Sequence, residues 1–162
     1  GVRLGVCATK GVAHATGKPC AAVHALEALS MNLAGFDGLV CPILDARRGQ
    51  VYCAAFDVSS GMPRRAMEDD AVALEEFIAR LPDDCRLAFV GDGLPVHREK
   101  IRALLGDRAF LPPANLVSLR TDAVGLLALA HPETWVPAHA LQAVYLRKPQ
   151  AERERMEKLN HV

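Results

Sequence analysis

The chain has no excess of charge of either sign, since its 162 residues include 19 lysines and arginines against 19 aspartates and glutamates. Proteins dedicated to binding nucleic acids or membrane surfaces normally carry a basic excess, so this balance argues against both classes. Aromatic residues are also scarce, at 5% of the chain. A tRNA-binding module is therefore the least favoured of the three functional classes that we consider.

Long apolar runs are absent as well, and none approaches the roughly 20 residues that a membrane-spanning helix requires. Hydrophobic residues nevertheless make up 51% of the chain, which indicates a globular protein with a buried core. The length suffices for one domain or for two small lobes that share a core. We therefore expect no association with membranes.

Cysteines and histidines form no pattern of a disulfide framework or a metal site. No two cysteines make a Cys-x-x-Cys pair, and no two histidines are four residues apart, so we name no metal ligand. The cysteines lie in apolar stretches, which predicts buried, reduced thiols in a cytoplasmic protein. They are Cys7, Cys20, Cys41, Cys53 and Cys85.

The sequence also lacks a catalytic set. No serine lies in the Gly-x-Ser-x-Gly elbow of a hydrolase, and the acidic pairs at 69–70 and 83–84 are typical of helix N-termini or turns. We therefore name no catalytic residue. This predicts either a partner subunit or an enzyme whose chemistry lies upstream of residue 1.

Two apolar runs, at 39–44 and 51–58, flank a polar break and predict a β-hairpin. Both runs are rich in residues that favour strands, and Gly49 is suited to a positive φ in the reversal. Asp45 and Arg47 stand where the first strand becomes the turn. Arg47 could brace the loop through Asp45, or Asp45 could only cap a turn that Arg47 solvates; we favour bracing. The hairpin residues that we single out are Asp45, Arg47, Gly49 and Tyr52.

Residues 2–16 have helical spacing of apolar side chains and are rich in alanine and glycine. Glycine is costly in a helix unless another element must approach closely. Such a helix could be buried under a sheet, or it could contact a helix of another subunit, and we weigh these alternatives equally. The candidate interface residues are Leu4, Gly5, Ala8, Gly11 and Val12.

Gly91 and Gly93 lie between a predicted strand at 87–90 and a predicted helix at 95–105. A strand, a glycine turn and a helix in this order could cradle a phosphate. Gly-x-Gly alone is common, however, and is neither a dinucleotide-binding fingerprint nor a Walker loop. A tight turn is the favoured interpretation.

The remaining elements complete an α/β pattern. We predict helices at 24–34, 71–81 and 119–131, and an edge strand at 64–67. In the last helix, Leu126, Leu127 and Leu129 are expected to face the core. Helices that alternate with a mixed sheet predict a layered α/β domain. We divide the chain into residues 1–34, which link to a further lobe, an α/β lobe at 35–150 and a charged tail at 151–162.

Three segments resemble the bacterial TsaB (YeaZ) family. Gly1-Val2-Arg3-Leu4-Gly5 is similar to the end of its glycine-rich loop. Residues 45–52 are similar to its Asp-Ala-Arg-x-x-Glu-Val-Tyr hairpin, with Gln50 in place of the acid. Tyr145-Leu146-Arg147-Lys148-Pro149 is similar to its terminal Pro-x-Tyr-Leu-Arg element.

The resemblance implies an actin/Hsp70/sugar-kinase-like (ribonuclease H-like) lobe in the C-terminal part of a two-lobe protein. It implies a non-catalytic scaffold for making N6-threonylcarbamoyladenosine (t6A) on tRNA, which binds the paralogous catalytic subunit TsaD. ATP and metal would be handled by partners, including the ATPase TsaE, and tRNA would be met only through the complex. A homodimer is also compatible. The alternative is an enzyme of the same superfamily, either a nucleotide-dependent phosphotransferase or a glycoprotease-like metallopeptidase.

Overall fold

The structure, a computed structural model, describes residues 1–146. The predicted charged tail lies outside this range, as do the last three residues of the Tyr145–Pro149 segment. Among the described residues, no helix is both long enough and apolar enough to cross a bilayer.

A five-stranded mixed sheet forms the centre of the fold, with the strand order β4-β3-β2-β5-β6. The pairs β2–β3 and β3–β4 are antiparallel, whereas β2–β5 and β5–β6 are parallel. A separate two-stranded sheet joins β1 to β7. The strands are β1 (Cys20–Ala21), β2 (Leu39–Asp45), β3 (Gln50–Asp57), β4 (Arg64–Ala73), β5 (Leu87–Val90), β6 (Ala109–Phe110) and β7 (Trp135–Val136).

Five α-helices surround these sheets in the described part of the chain, together with short 3-10 turns. The helices are α1 (Val2–Thr16), α2 (Ala25–Ser30), α3 (Leu74–Ala79), α4 (Gly93–Leu105) and α5 (Thr121–Ala130). The 3-10 turns are Met31–Leu33, Gly106–Arg108, Ala114–Leu116, Pro132–Thr134 and Ala138–Ala140. The predicted α/β class, with a mixed sheet, a hairpin and flanking helices, is confirmed.

The central sheet is covered on both faces, because successive residues of one strand point to opposite faces. Val40 of β2 packs with α2 in one core cluster, whereas Ile43 packs with α3 and α4 in the other. Both side chains are fully buried. Burial on two faces explains why β2 and β3 read as continuous apolar runs rather than as alternating ones.

Strand β4 is longer than the edge strand predicted at 64–67, and the helix predicted at 71–81 begins only at Leu74. The reason is pairing with β3, in which Val72 lies opposite Val51 and Ala73 opposite Gln50. Tertiary pairing here overrides a local pattern that is compatible with a helix. The acidic pair at 69–70 consequently belongs to a strand and not to a helix N-terminus.

Helix α5 differs from its prediction in the face that it buries. Leu127 is buried against α2, but Leu126 and Leu129 are exposed, so the core face predicted for all three leucines is wrong. The helix is apolar on every side, and its pattern therefore could not indicate which side meets the protein.

Helix α1 has the predicted bounds, but the alternative of a helix buried under a sheet is wrong. Ala13 is its single buried residue. Cys7 on the same helix is exposed and Cys85 is half-buried, which corrects the expectation that every cysteine is buried, while all five thiols are free.

Candidate functional site

The tip of the β2–β3 hairpin is held by a chain of hydrogen bonds. The Arg47 backbone N–H donates to Asp45 Oδ1 at 2.9 Å, and the Gln50 N–H donates to the Arg47 carbonyl at 3.1 Å. The Asp45 N–H donates to Asp92 Oδ1 at 2.9 Å. Asp92 belongs to the glycine loop that precedes α4, so two segments that the sequence singled out separately meet at one end of the sheet.

The turn contains three consecutive residues with positive φ, namely Arg47 at 64°, Arg48 at 54° and Gly49 at 73°. Glycine takes this conformation freely, as predicted for Gly49, but a left-handed L-residue costs roughly 1–2 kcal/mol. The strain at the two arginines was missed by the sequence analysis, because positive φ is expected at Gly, Asn or Asp and not at Arg.

Arg47 also forms an ion pair with Asp45, with 3.8 Å between Nη1 and Oδ2. Its side chain is 89% exposed, so solvent screens the pair and the contribution is small. The hydrogen bonds from the Arg47 N–H to the Asp45 carboxylate and from the Asp45 N–H to Asp92 hold the turn more strongly than the guanidinium does. Tyr52, opposite Leu44 in the ladder, is half-buried.

We expect Arg47→Ala to lower the free energy of unfolding by about 0.5 kcal/mol, since it removes one exposed ion pair. Urea unfolding monitored by circular dichroism would measure this. Arg48→Ala is the matched control, because Arg48 has the same backbone region and no ion pair among residues 1–146. Equal losses in both variants would contradict bracing by the Arg47 side chain.

Gly91 and Gly93 pack directly against strand β2. A Cβ atom on Gly91, whose φ is 102°, would lie 2.2 Å from the Ile43 carbonyl oxygen, and one on Gly93 would lie 3.0 Å from the same atom. The Gly91 N–H donates to the Val117 carbonyl at 2.8 Å. Close approach of two backbones therefore accounts for both glycines, in line with a tight turn. The nucleotide-loop interpretation stays a prediction.

Helix α1 presents a continuous outer face of small and aliphatic residues. A helical repeat places Leu4, Ala8, Gly11, Val12 and Ala15 on one side, and all of these are exposed. Leu4 is 76% exposed and Val12 is 66% exposed. The opposite side carries Ala13 and Val6, which pack on the rest of the protein. A Cβ atom at Gly5 or Gly11 would meet nothing within 4 Å.

The segment at 144–146 lies beside the start of α1. Arg3 Nε donates to the Tyr145 hydroxyl at 3.2 Å, and the guanidinium lies 5.8 Å from the centre of the Tyr145 ring. Val144, Tyr145 and Leu146 are themselves exposed. The structure thus brings the first family-like segment close to Tyr145, in the described part of the third segment. We call the outer face of α1 together with residues 144–146 the α1 surface.

The described residues hold no group of three or more His, Cys, Asp or Glu side chains placed to bind a metal ion.

A shallow cavity of about 330 Å³ lies between α2 and α5 and is lined by His24, Glu27 and His131, among others. The Nδ1 atom of His24 lies 3.5 Å from Asp69, and that of His131 lies 2.9 Å from Glu133.

The buried thiols are poor nucleophiles. Burial raises the pKa of Cys41 well above its ordinary value, and burial together with Asp70 raises the pKa of Cys53 to about 12. Both thiols therefore stay protonated at neutral pH, whereas attack on a substrate requires the thiolate. Their position in the sheet core makes them packing residues.

Known proteins resemble this chain in sequence. The family model "TsaD: tRNA N6-adenosine threonylcarbamoyltransferase" matches residues 1–147. The tRNA threonylcarbamoyladenosine biosynthesis protein TsaB of Bacillus subtilis (strain 168) is 34% identical over 153 residues. The alignment spans 94% of this chain but only 66% of the relative's length.

Two solved structures from Pseudomonas aeruginosa have the same fold. YeaZ superposes with a TM-score of 0.68 at 24% identity and covers 90% of this chain and 68% of its own. A protein described as similar to peptidase YEAZ superposes with a TM-score of 0.70 at 23% identity, over 91% of this chain and 68% of its own.

Proposed function

Because this chain belongs to the TsaB (YeaZ) family, and its residues 1–147 match the TsaD family model, we propose that it acts in forming t6A on tRNA. Its role is that of a supporting subunit that binds a TsaD-like catalytic paralogue. The observation that carries this proposal is the α1 surface, which is apolar, exposed and built around glycines that nothing in the described chain requires.

The energetics favour a surface that a partner covers. Leu4 and Val12 are exposed, and burying a side chain of this size stabilises a complex by about 1.5–3 kcal/mol. Gly5 and Gly11 each cost about 1 kcal/mol in a helix interior relative to alanine. The space beside them is empty in this chain, and a helix of another protein could approach the backbone closely there.

The catalytic steps would fall to the partner proteins. A TsaD-like paralogue would perform the transfer and hold the metal, and a TsaE-like ATPase would handle ATP, so that tRNA meets this chain only within the complex. Such an assembly would work in the cytoplasm. A homodimer would use the same surface, so that a second copy of this chain and the paralogue would compete for it.

Co-purification of the tagged full-length protein from its native cells tests this proposal. We expect a TsaD-like protein to be recovered in stoichiometric amount, and depletion of the protein to lower the t6A content of tRNA measured by mass spectrometry. Recovery without such a partner, with t6A unchanged, would contradict it. Micromolar binding of ATP and Mg²⁺ in calorimetry, lost in Gly93→Glu, would instead support the phosphotransferase alternative.

A further inference from the structure

The tip of the β2–β3 hairpin carries two adjacent arginines in a backbone conformation that arginine seldom takes. The Ala46 N–H donates to the Gln50 carbonyl at 3.0 Å, so the loop proper consists of the three residues between them. In the common three-residue hairpin loop, only the last residue lies in the left-handed region. Here Arg47 and Arg48 have positive φ as well. The length of the loop therefore does not account for the strain at both arginines.

The two arginines contribute little to the stability of the fold. Asparagine, aspartate or glycine would take the same backbone conformation at lower cost. Both arginine side chains are exposed, and Arg48 has no ion pair within residues 1–146. Strained backbone of this kind is concentrated at binding sites and active sites. Binding of an anion would explain why two positive charges stand at these positions.

We propose that this hairpin tip contacts the phosphate backbone of tRNA when the chain is assembled with its catalytic paralogue. The inference rests on the proposed function, which supplies the tRNA, and it adds a contact surface separate from the α1 surface. Arginine suits phosphate well, because its planar guanidinium can donate two parallel hydrogen bonds to phosphate oxygens.

Backbone donors reinforce the side chains at the tip. The N–H groups of Arg48 and Gly49 are consecutive, and neither has an acceptor within residues 1–146. Successive N–H groups in a turn favour the binding of an anion. A Cβ atom at Gly49 would meet nothing within 4 Å, so the backbone here is open to a ligand.

An RNA backbone fits this tip better than an acidic protein surface does. The exposed residues at 47–49 include no apolar side chain, whereas protein interfaces are depleted in charged residues at their core and bury apolar ones there. Contacts with phosphate require only charge and hydrogen-bond donors, and they position a nucleic acid without reading its sequence. Such a contact suits a supporting subunit that helps to hold tRNA while a partner performs the chemistry.

The tip does not make the chain an RNA-binding module by itself. Asp45 and Asp92 lie at the base of the hairpin, where each accepts a backbone N–H, and they offset the two positive charges. The chain as a whole is neutral. Affinity for nucleic acid grows with the number of phosphates that are neutralised, so two arginines bind weakly until a partner supplies further contacts.

A glycine substitution separates binding from a structural role. Arg48→Gly should raise the melting temperature of the full-length protein by about 1–4 °C, because glycine takes a positive φ without strain. The same variant should weaken tRNA binding by the complex about tenfold, because a charged hydrogen bond to phosphate is lost. The slope of log affinity against log salt should also fall by about 1. Binding is measured by fluorescence anisotropy of a labelled tRNA transcript, titrated with the complex of the full-length protein and its TsaD-like paralogue.

Two further variants control for charge and for position. Arg48→Lys keeps the positive charge and the strained backbone, so it should retain more affinity than Arg48→Gly and leave the melting temperature unchanged. Arg102→Gln removes an exposed charge on α4 and should leave tRNA binding unchanged. A residue that only shaped the turn would show no opposite changes in stability and affinity.

The outcomes distinguish this inference from the proposed function. If the full-length protein forms no complex with a TsaD-like paralogue, both are overturned. A complex that forms but binds no tRNA, or binds it equally well with Arg48→Gly, would overturn this inference alone. Weaker binding of the paralogue by Arg48→Gly, with the tRNA affinity of the assembled complex unchanged, would assign the tip to a protein contact and would also overturn it.

Discussion

Replacing Gly91 with alanine is expected to lower the free energy of unfolding by about 3 kcal/mol or more. The new Cβ would lie 2.2 Å from the Ile43 carbonyl oxygen, and the residue would keep a φ of 102°. The positive φ alone costs roughly 1–2 kcal/mol, and overpacking adds about 1–3 kcal/mol. Ile43 is fully buried in the central strand β2, so the backbone contact cannot be relieved by a side-chain rotation. Urea unfolding would measure the loss.

Two other glycines are controls for this prediction. A Cβ on Gly125 in α5 would meet nothing within 4 Å, so Gly125→Ala should stabilise the protein by up to about 1 kcal/mol through helix propensity. Gly93→Ala should have an intermediate effect, because its contact with Ile43 is 3.0 Å and its φ is not positive. Wild-type stability of Gly91→Ala would contradict the close approach.

The different packing costs at Gly91 and Gly93 also decide how the nucleotide-loop interpretation can be tested. A Gly91 variant would lose function because its fold is destabilised, whatever ligand the loop binds. Gly93 variants are the better probe, because their packing cost is smaller. Binding of ATP measured on a folded Gly93 variant therefore separates a phosphate cradle from a tight turn.

Substitutions at Gly11 should separate stability from association. Gly11→Ala should raise the free energy of unfolding by about 1 kcal/mol, since the site is open and alanine is the better helix former. If the proposed function holds, Gly11→Leu should weaken binding to a TsaD-like paralogue by about 10- to 100-fold, because overpacking a closely approaching helix costs about 1–3 kcal/mol. Calorimetric unfolding and a titration of the purified partner would measure the two effects.

Gly125→Leu is the matched control for the second effect. It makes the same substitution at an equally open and exposed glycine, but on a different helix, α5. We expect it to leave partner binding unchanged. Wild-type binding by Gly11→Leu, together with unchanged elution in gel filtration, would exclude the α1 surface as the site of association.

Elements whose signal is local were predicted closely from the sequence. The hairpin strands, the strand at 87–90 and the helix at 2–16 agree with the structure within one or two residues. Each is defined by its own apolar run or helical spacing, with a glycine at the turn or at the end. The mixed sheet followed from the order of these elements, and the family resemblance followed from three short sequence segments at 1–5, 45–52 and 145–149.

Features that depend on contacts with other elements of the fold were not predicted closely from the sequence. The length of β4 depends on its ladder with β3, and the exposed sides of α1 and α5 depend on which neighbours cover the other side. The positive φ of Arg47 and Arg48 depends on how the hairpin closes beside Asp92. Each partner belongs to another element of the fold, so the pattern within the segment itself could not report it.

The sequence by itself determined the α/β class, the hairpin, the glycine turn and the family of this protein, because residue type and spacing fix local conformation. Only the tertiary structure decided that the outer face of α1 is exposed, that close packing against the Ile43 carbonyl requires glycine at position 91, and that β4 lies at the edge of the sheet. Exposure and close approach are relations between segments far apart in the chain, and they exist only once the chain has folded.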